Sequence, residues 1–440
     1  KTQASRPQTN DGDLKGEVVQ RLPGARLRKA QIASLATFIL MGHSALASVA
    51  WVPEFIDRLN VSFVTWGTII GFSVIGSIAP LFFASRLIMR FGARPIIRFA
   101  NYGGMFMLAS LAWTNNPALW MVLNIFFNFF MSLMGVAVNS SAVLLQKQIS
   151  INIIGRMHAG WSLGAVAAAI TGAVSTVYLT LDVFLLIVAI FTVVTLEFCL
   201  RWLLSPVEDG HNEEKASVVK RKFYQMPSQL WLLAFGLFAA IYPEVAVIDW
   251  AAVFARDVLN AELALRSIPF GVFMIGMIIG RLSMTRLAEK MHPHTMASRG
   301  ALLAAFALAA AALFAGPVAD ANQVAGLILG SLLWGLAGLG LAPASPAFFS
   351  AAGHVPGVST AWAVSRLSLF NSSVAIFAKA YMGALVEGVG LATAFFFPVI
   401  LALISAVIAE QFAKRARKAD LDAAAPPTGP ISIVPDAEAR

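Results

Sequence analysis

Apolar runs of about twenty residues recur along this chain from about residue 30 to about residue 411. That is the length an α-helix needs to cross a bilayer. One polar stretch, 204–228, divides the series into two sets of similar size. Within it Glu208, Asp209, Glu213, Glu214, Lys215, Lys220, Arg221 and Lys222 gather, with Pro206 and Pro227 near its ends. In hydrocarbon each of those charges would cost roughly 2.5 kcal/mol or more, so the stretch belongs in water. Six spans are counted on either side of it. The expected fold class is an all-α membrane protein of twelve transmembrane helices in two six-helix halves.

Composition narrows the function. Hydrophobic residues make up 58% of the chain and charged residues 12%, against about 25% charged in a soluble domain. A single cysteine, Cys199, rules out an internal disulfide and a cysteine metal cluster. There is no phosphate loop, no HExxH pair and no nucleophile elbow. No enzyme activity, cofactor or metal is expected, and any work done would draw on an ion gradient or the solute's own.

The spans are expected near 30–51, 63–83, 96–113, 118–142, 157–178 and 183–203, then 229–252, 267–284, 297–316, 323–348, 358–385 and 391–411. The organisation is an N-terminal tail 1–29, a first half 30–203, a central loop 204–228, a second half 229–412 and a C-terminal tail 413–440. Residues 1–29 are polar, which speaks against a cleavable signal, and the start at Lys1 reads as a trimmed N-terminus. Placing both tails in the cytoplasm puts Arg86, Arg90, Arg94, Arg98, Lys147, Arg156, Arg281, Arg286, Lys290 and Arg299 inside. Only Arg58, Arg256 and Arg266 fall outside. This is the positive-inside pattern, so the net charge of +9 is a topology signal rather than a nucleic-acid footprint. Of the ten tryptophans all but Trp334 fall near a span end, as an interfacial belt requires.

The halves repeat. SRLIMRFGARPIIR (85–98) follows the second span and TRLAEKMHPHTMASR (285–299) the eighth, both short and basic. Parallel repeats of this kind place a solute site at the midplane between halves. At these residues the chain resembles the major facilitator superfamily, whose signature here is Gly-x-Leu-Ala-Asp-Arg-x-Gly-Arg-Lys/Arg. Leu87, Arg90, Gly92 and Arg94 match, while Ser85 and Met89 replace its first glycine and its aspartate. In the second copy Leu287 and Ala288 match, Glu289 and Lys290 stand for Asp-Arg, and His292 replaces the glycine. The resemblance implies a conformational latch at Arg90, Gly92, Arg94, Glu289 and Lys290, with Glu289 as its acidic member. WVPEFIDRLNVS (51–62), HAGWSLGAVAAAITG (158–172), EVAVIDWAAVFARDVL (244–259) and PAFFSAAGHVPG (346–357) further resemble the bacterial fucose-permease-like branch. That branch has an acidic residue four before an asparagine on span four, where this chain has Gly135 before Asn139.

Several residues carry chemistry into the spans. Asn124, Asn128, Ser132, Gly135 and Asn139 fall on one stripe of the fourth helix. Such a stripe either bonds a neighbouring helix or faces an aqueous cavity. Gly160, Gly164, Ala168 and Gly172 form a small-residue stripe read as close helix packing. Glu244, after Pro243, lies roughly 12 Å inside the outer end of span seven, and Lys379 roughly 9 Å inside that of span eleven. A bridge of Lys379 with Glu244 or Asp249 is therefore expected, either protonatable and solute-competed or purely structural. His43, Trp334, Asn371 and Arg366 complete the candidate cavity residues, with a packing or snorkelling role open for each.

The expected function is a secondary transporter of a small polar solute, with sugar-like compounds and proton coupling implied by the branch. It would work as a monomer in a bacterial cytoplasmic membrane, with no nucleic-acid partner. A drug or metabolite exporter of the same fold and a non-transporting membrane sensor or scaffold are the alternatives.

Overall fold

A computed structural model describes residues 23–149, 153–205, 208, 226–356, 358 and 360–424, with no β-strand among them. The first half contains α1 (Gly24–Leu46), α2 (Phe63–Ile78), α3 (Ala93–Leu111), α4 (Pro117–Ile149), α5 (Ile154–Tyr178) and α6 (Leu181–Leu200). The second contains α7 (Ser228–Asp257), α8 (Ile268–Ala288), α9 (Pro293–Ala310), α10 (Gln323–Leu341), α11 (Thr360–Val389) and α12 (Phe396–Ala424). Eleven of these segments are long and apolar enough to cross a membrane. The exception is α3, whose Arg94, Arg98 and Asn101 lower its hydropathy. Glu197 of α6 answers that charge, at 2.7 Å from Arg98 and 2.9 Å from the Tyr102 hydroxyl.

The helices run past the expected limits. Residues 24–29, expected in the tail, already belong to α1, and α12 carries residues 413–424 of the other tail. Alanine, lysine and arginine are good helix formers, so both helices extend beyond the apolar run. Of the central-loop charges only Glu208 lies among the described residues; Asp209, Glu213, Glu214, Lys215, Lys220, Arg221 and Lys222 fall outside them. Arg26 donates to both oxygens of Glu208, at 2.7 and 3.1 Å, and to the carbonyls of Trp202 and Leu203. The start of α1 is thereby tied to the end of α6, on what is called here the terminal face. Burial alone would push the Glu208 carboxyl up, but the Arg26 guanidinium and the Ser205 amide outweigh it and hold the group below its usual range.

Three buried clusters give the fold its logic. One lies at the terminal end of the first half, around Phe38, Ile97, Met134 and Leu200. A second lies at the terminal end of the other half, around Leu233, Phe348, Leu367 and Phe412. The third belongs to both halves and gathers Phe55, Trp66 and Trp120 with Trp250, Phe254 and Phe273. The halves thus own separate cores at the terminal face and share one toward the far face. The internal repeat survives in backbone detail. Leu59-Asn60 ends the outer extension of α1 (Val52–Leu59) and Leu259-Asn260 follows α7, each asparagine in the left-handed region at φ 49° and 52°. Gly92, matched to the signature glycine, has φ +82°, which side-chain-bearing residues rarely adopt.

Candidate functional site

At the far face the halves meet without room for side chains. A Cβ on Gly67 of α2 would fall 2.7 Å from the Lys379 carbonyl of α11, and one on Gly71 2.5 Å from that of Ile376. The backbone N–H of Phe63 donates to Glu387 at 2.9 Å, and Ser267 Oγ donates to the Ala169 carbonyl at 3.0 Å. Arg256 at the end of α7 reaches both oxygens of Asp57 on the outer extension of α1, at 3.1 Å, and also pairs with Asp257. The expected small-residue stripe of α5 packs within the first half: Gly160 and Gly164 press on α1 at Leu35 and Ile39, and Gly172 on Ala50 in the turn that follows α1.

Beneath that seam lies a cavity of about 220 Å³ walled by both halves. Its first-half wall is an aromatic corner of Phe55, Trp66, Trp120 and Phe127 beside Asn124 and Asn128. Trp66 and Trp120 stand 5.0 Å apart, and Phe55 meets Trp120 edge-on at 5.3 Å. The Asn128 amide donates to the Asn124 carbonyl at 2.8 Å. Its second-half wall holds Asp249 and Lys379, paired at 2.8 Å with side chains 12% and 15% exposed. The register between those helices follows from Tyr242, whose hydroxyl donates to the Ala378 carbonyl at 2.7 Å. Two turns further along α7, Asp249 then faces Lys379.

Of the two bridges expected for Lys379, the one with Asp249 forms. Glu244 instead faces Arg281 of α8 at 3.9 Å. Arg281 also donates to Ser162 of α5 at 2.6 Å, crossing between halves. Arg281, counted in the sequence among the inner-side charges, lies within α8 as the span 267–284 implies, and is half-buried between helices. Its signal was weak, since one arginine near a span end looks like any loop cation.

Toward the terminal face the halves part around a cavity of about 780 Å³. Ser132, Gly135, Asn139 and Ser140 of α4 line it, facing Val364 and Ser368 of α11, with Ser85 and Met89 at its edge. The α4 stripe therefore lines both spaces in order, two asparagines in the first and the remainder in the second. Not every member is free: Ser132 donates to the Ser77 carbonyl at 2.8 Å and Asn139 to that of Gly135 at 2.8 Å.

Other expected site residues lie apart. Trp334 is 1% exposed, between Phe254 and Phe395 at 5.0 and 5.3 Å, and lines neither cavity. It is packed into the second-half side of the shared core. His43 is buried on α1, its Nε2 3.0 Å from Thr171 Oγ1, and also lies off both walls. Arg366 sits over the Trp362 ring at 5.3 Å, and Asn371 is half-buried on α11; neither lines these cavities. Of the expected latch, Arg90, Glu289 and Lys290 are exposed and Arg94 is half-buried; none forms an ion pair with a described residue. The tryptophan belt is also revised. Trp51, Trp66, Trp120 and Trp250 are buried in the shared core because the seam closes over them, while Trp113 and Trp202 stay exposed. Core and belt tryptophans share one sequence position, a span end, so spacing could not separate them. Among the described residues no cluster of three or more His, Cys, Asp or Glu could hold a metal.

The arrangement has counterparts. The chain is 23% identical over 365 residues to an uncharacterized MFS-type transporter of Yersinia pestis, covering 83% of this chain and 91% of that protein. It is 23% identical over 376 residues to an uncharacterized transporter of Sinorhizobium fredii, covering 85% and 96%. Among solved structures, a mutant form of the nucleoside transporter NupG superposes with a TM-score of 0.66 at 16% identity, over 88% of this chain and 99% of that one. A bacterial homolog of the human lysosomal transporter Spinster, in an inward-facing and occupied conformation, superposes with a TM-score of 0.63 at 15% identity, over 89% and 98%. Residues 33–363 match the Major Facilitator Superfamily as a family, and with two six-helix halves around an interfacial cavity the chain belongs to that superfamily of membrane transporters.

Proposed function

We propose that this transporter carries a small polar, sugar-like solute by alternating access, and that the shape described is its inward-facing form. The lysine and arginine distribution supports a cytoplasmic terminal face. The observation that carries the reading is the far cavity, where an amide pair and an aromatic corner on one half face a buried ion pair on the other. Aromatic faces pack on the C–H face of a sugar ring, while Asn124, Asn128, Asp249 and Lys379 supply donors and acceptors for hydroxyl groups. Solute and proton compete for Asp249 in this scheme, which gives the pair a coupling role. The likeness of 51–62, 158–172, 244–259 and 346–357 to the fucose-permease-like branch points to the same solute class.

A polyspecific exporter would call for a wall without the polar stripe, and a sensor for asparagines packed against a helix. The α4 asparagines line cavities instead.

The test is a thermal-shift screen of purified protein against sugars, nucleosides, sugar acids, amino acids and lipophilic cations. A ligand at a hundred times its Kd stabilises the folded state by about 2.7 kcal/mol. A sugar-like hit is expected for wild type and lost in Asn128→Ala and Asp249→Asn. Hits confined to lipophilic cations would replace this reading with the exporter, and the absence of any hit would sink it.

A further inference from the structure

Away from the solute path, α1 and α6 leave an apolar trough of about 380 Å³ on the outside of the first half, at its terminal edge. Ile32, Phe198 and Trp202 line it and are 62%, 57% and 45% exposed, as lipid-facing side chains are. Nearby, Arg26 ties α1 to Glu208 and to the carbonyls of Trp202 and Leu203 just past α6.

The rim is asymmetric in charge. Lys29 lies over the Trp202 ring at 4.3 Å and Arg201 over the Phe198 ring at 5.1 Å. Both rings belong to the α6 wall: Lys29, itself part of the lining, reaches Trp202 from α1, and Arg201 lies against Phe198 just outside the lining, with Arg28 exposed on α1. The nearby acid, Glu208, is already taken by Arg26. Among the described residues neither Lys29 nor Arg201 has an ion pair. An apolar slot capped by cations that no described residue pairs complements one bilayer component above others: a phosphodiester headgroup carrying net negative charge, with an acyl chain below it.

We propose that this trough is a binding site for an anionic phospholipid, its phosphate held by Lys29 and Arg201 and one acyl chain laid along Ile32 and Phe198. The site is independent of the solute reading, because it shares no residue with either cavity. A zwitterionic lipid fits the slot equally well and also presents a phosphate, but its own ammonium offsets that charge and weakens the hold of the cations. The same positive-inside bias that orients the chain would then also select a lipid.

The experiment is native mass spectrometry of the full chain released from nanodiscs of mixed phosphatidylglycerol and phosphatidylcholine. Wild type should retain phosphatidylglycerol in preference. One basic side chain near an anionic lipid surface is worth about fivefold in affinity, so Lys29→Ala with Arg201→Ala should lose about twenty-five-fold. Lys29→Arg should restore binding in the single variant. Arg286→Ala with Lys290→Ala, another exposed basic edge, should leave retention unchanged. The single cysteine, Cys199, also lines the trough, so phosphatidylglycerol should slow its maleimide labelling in wild type and not in the double variant. Equal retention of both lipids, an unaffected double variant, or an equal loss in the control pair would overturn the proposal. So would full competition by inorganic phosphate, which would show a bare anion site, or labelling protection that vanishes on deleting residues 1–22, which would show the tail as occupant.

Discussion

The two ends of the interface between the halves are built on different principles. At the far face α2 and α11 touch backbone to backbone at Gly67 and Gly71. At the terminal face the same pair of halves flanks an open space of about 780 Å³, and each keeps its own core. The ion pairs divide in the same way. Asp57–Arg256 crosses between halves at the far face, whereas Arg98–Glu197 and Arg417–Glu410 stay within one half. Magnitude decides what holds the far seam shut. Asp57 is 63% exposed, and pairs of that kind contribute about 0–1 kcal/mol. Close backbone approach in a membrane gains its energy from van der Waals contact over many atoms, with no salt dependence. The seam is a packing device with an electrostatic register mark.

The strongest way to break this comparison is to put a side chain where the helices touch. Gly67→Leu should disfavour far-face closure by about 1–3 kcal/mol, moving the equilibrium toward the far-open form by roughly five- to 150-fold. In a Cys199→Ser background, an Asn124→Cys reporter should label faster with an impermeant reagent added from the far side. Unchanged labelling would mean that the glycine contact does not close the seam. A smaller effect is expected for Asp57→Asn. It should shift the same reporter by about 0.2–1 kcal/mol, and raising the salt should reproduce the shift in wild type. A loss rivalling that of Gly67→Leu would reverse the ranking of packing over charge.

The smallest effect concerns the terminal face. Glu208 titrates below its ordinary range in the folded protein, so its contribution to stability is present above the unfolded value and is lost as pH falls through the folded one. Hydrogen exchange at the start of α1, corrected for intrinsic rate, should quicken over that acidic window. Glu208→Gln should show the quicker exchange already at neutral pH. Far-face labelling should not change in either case, because this contact lies within one half and its linker.

Much of this was legible in advance, for physical reasons that differ by residue. The α4 stripe could be read because 3.6-residue periodicity is intrinsic to the helix, and Asn124, Asn128, Ser132 and Asn139 do line the two cavities. The Asp249–Lys379 pairing could be narrowed to two options because depth along a span follows from rise per residue. Choosing between them needed the Tyr242 contact, a tertiary register that no single helix encodes. Arg281 was hidden because an arginine near a span end can run out to the aqueous side or turn inward to the partner half. Trp66 and Trp120 were hidden because a ring near a span end can turn outward to lipid or inward to a partner half.

The continuity of the α4 stripe sets a condition on traffic. From Asn124 to Asn139 the row extends about 22 Å at 1.5 Å per residue, most of a hydrocarbon thickness of about 30 Å. On the proposed transport reading, a passenger moving along it would exchange one amide or hydroxyl for a similar one at every turn but that of Gly135, and never depend on a single deep trap. Tight binding at any one rung would stall the next step. Such a ladder favours modest affinity and quick release, with selectivity left to the aromatic corner at its upper end.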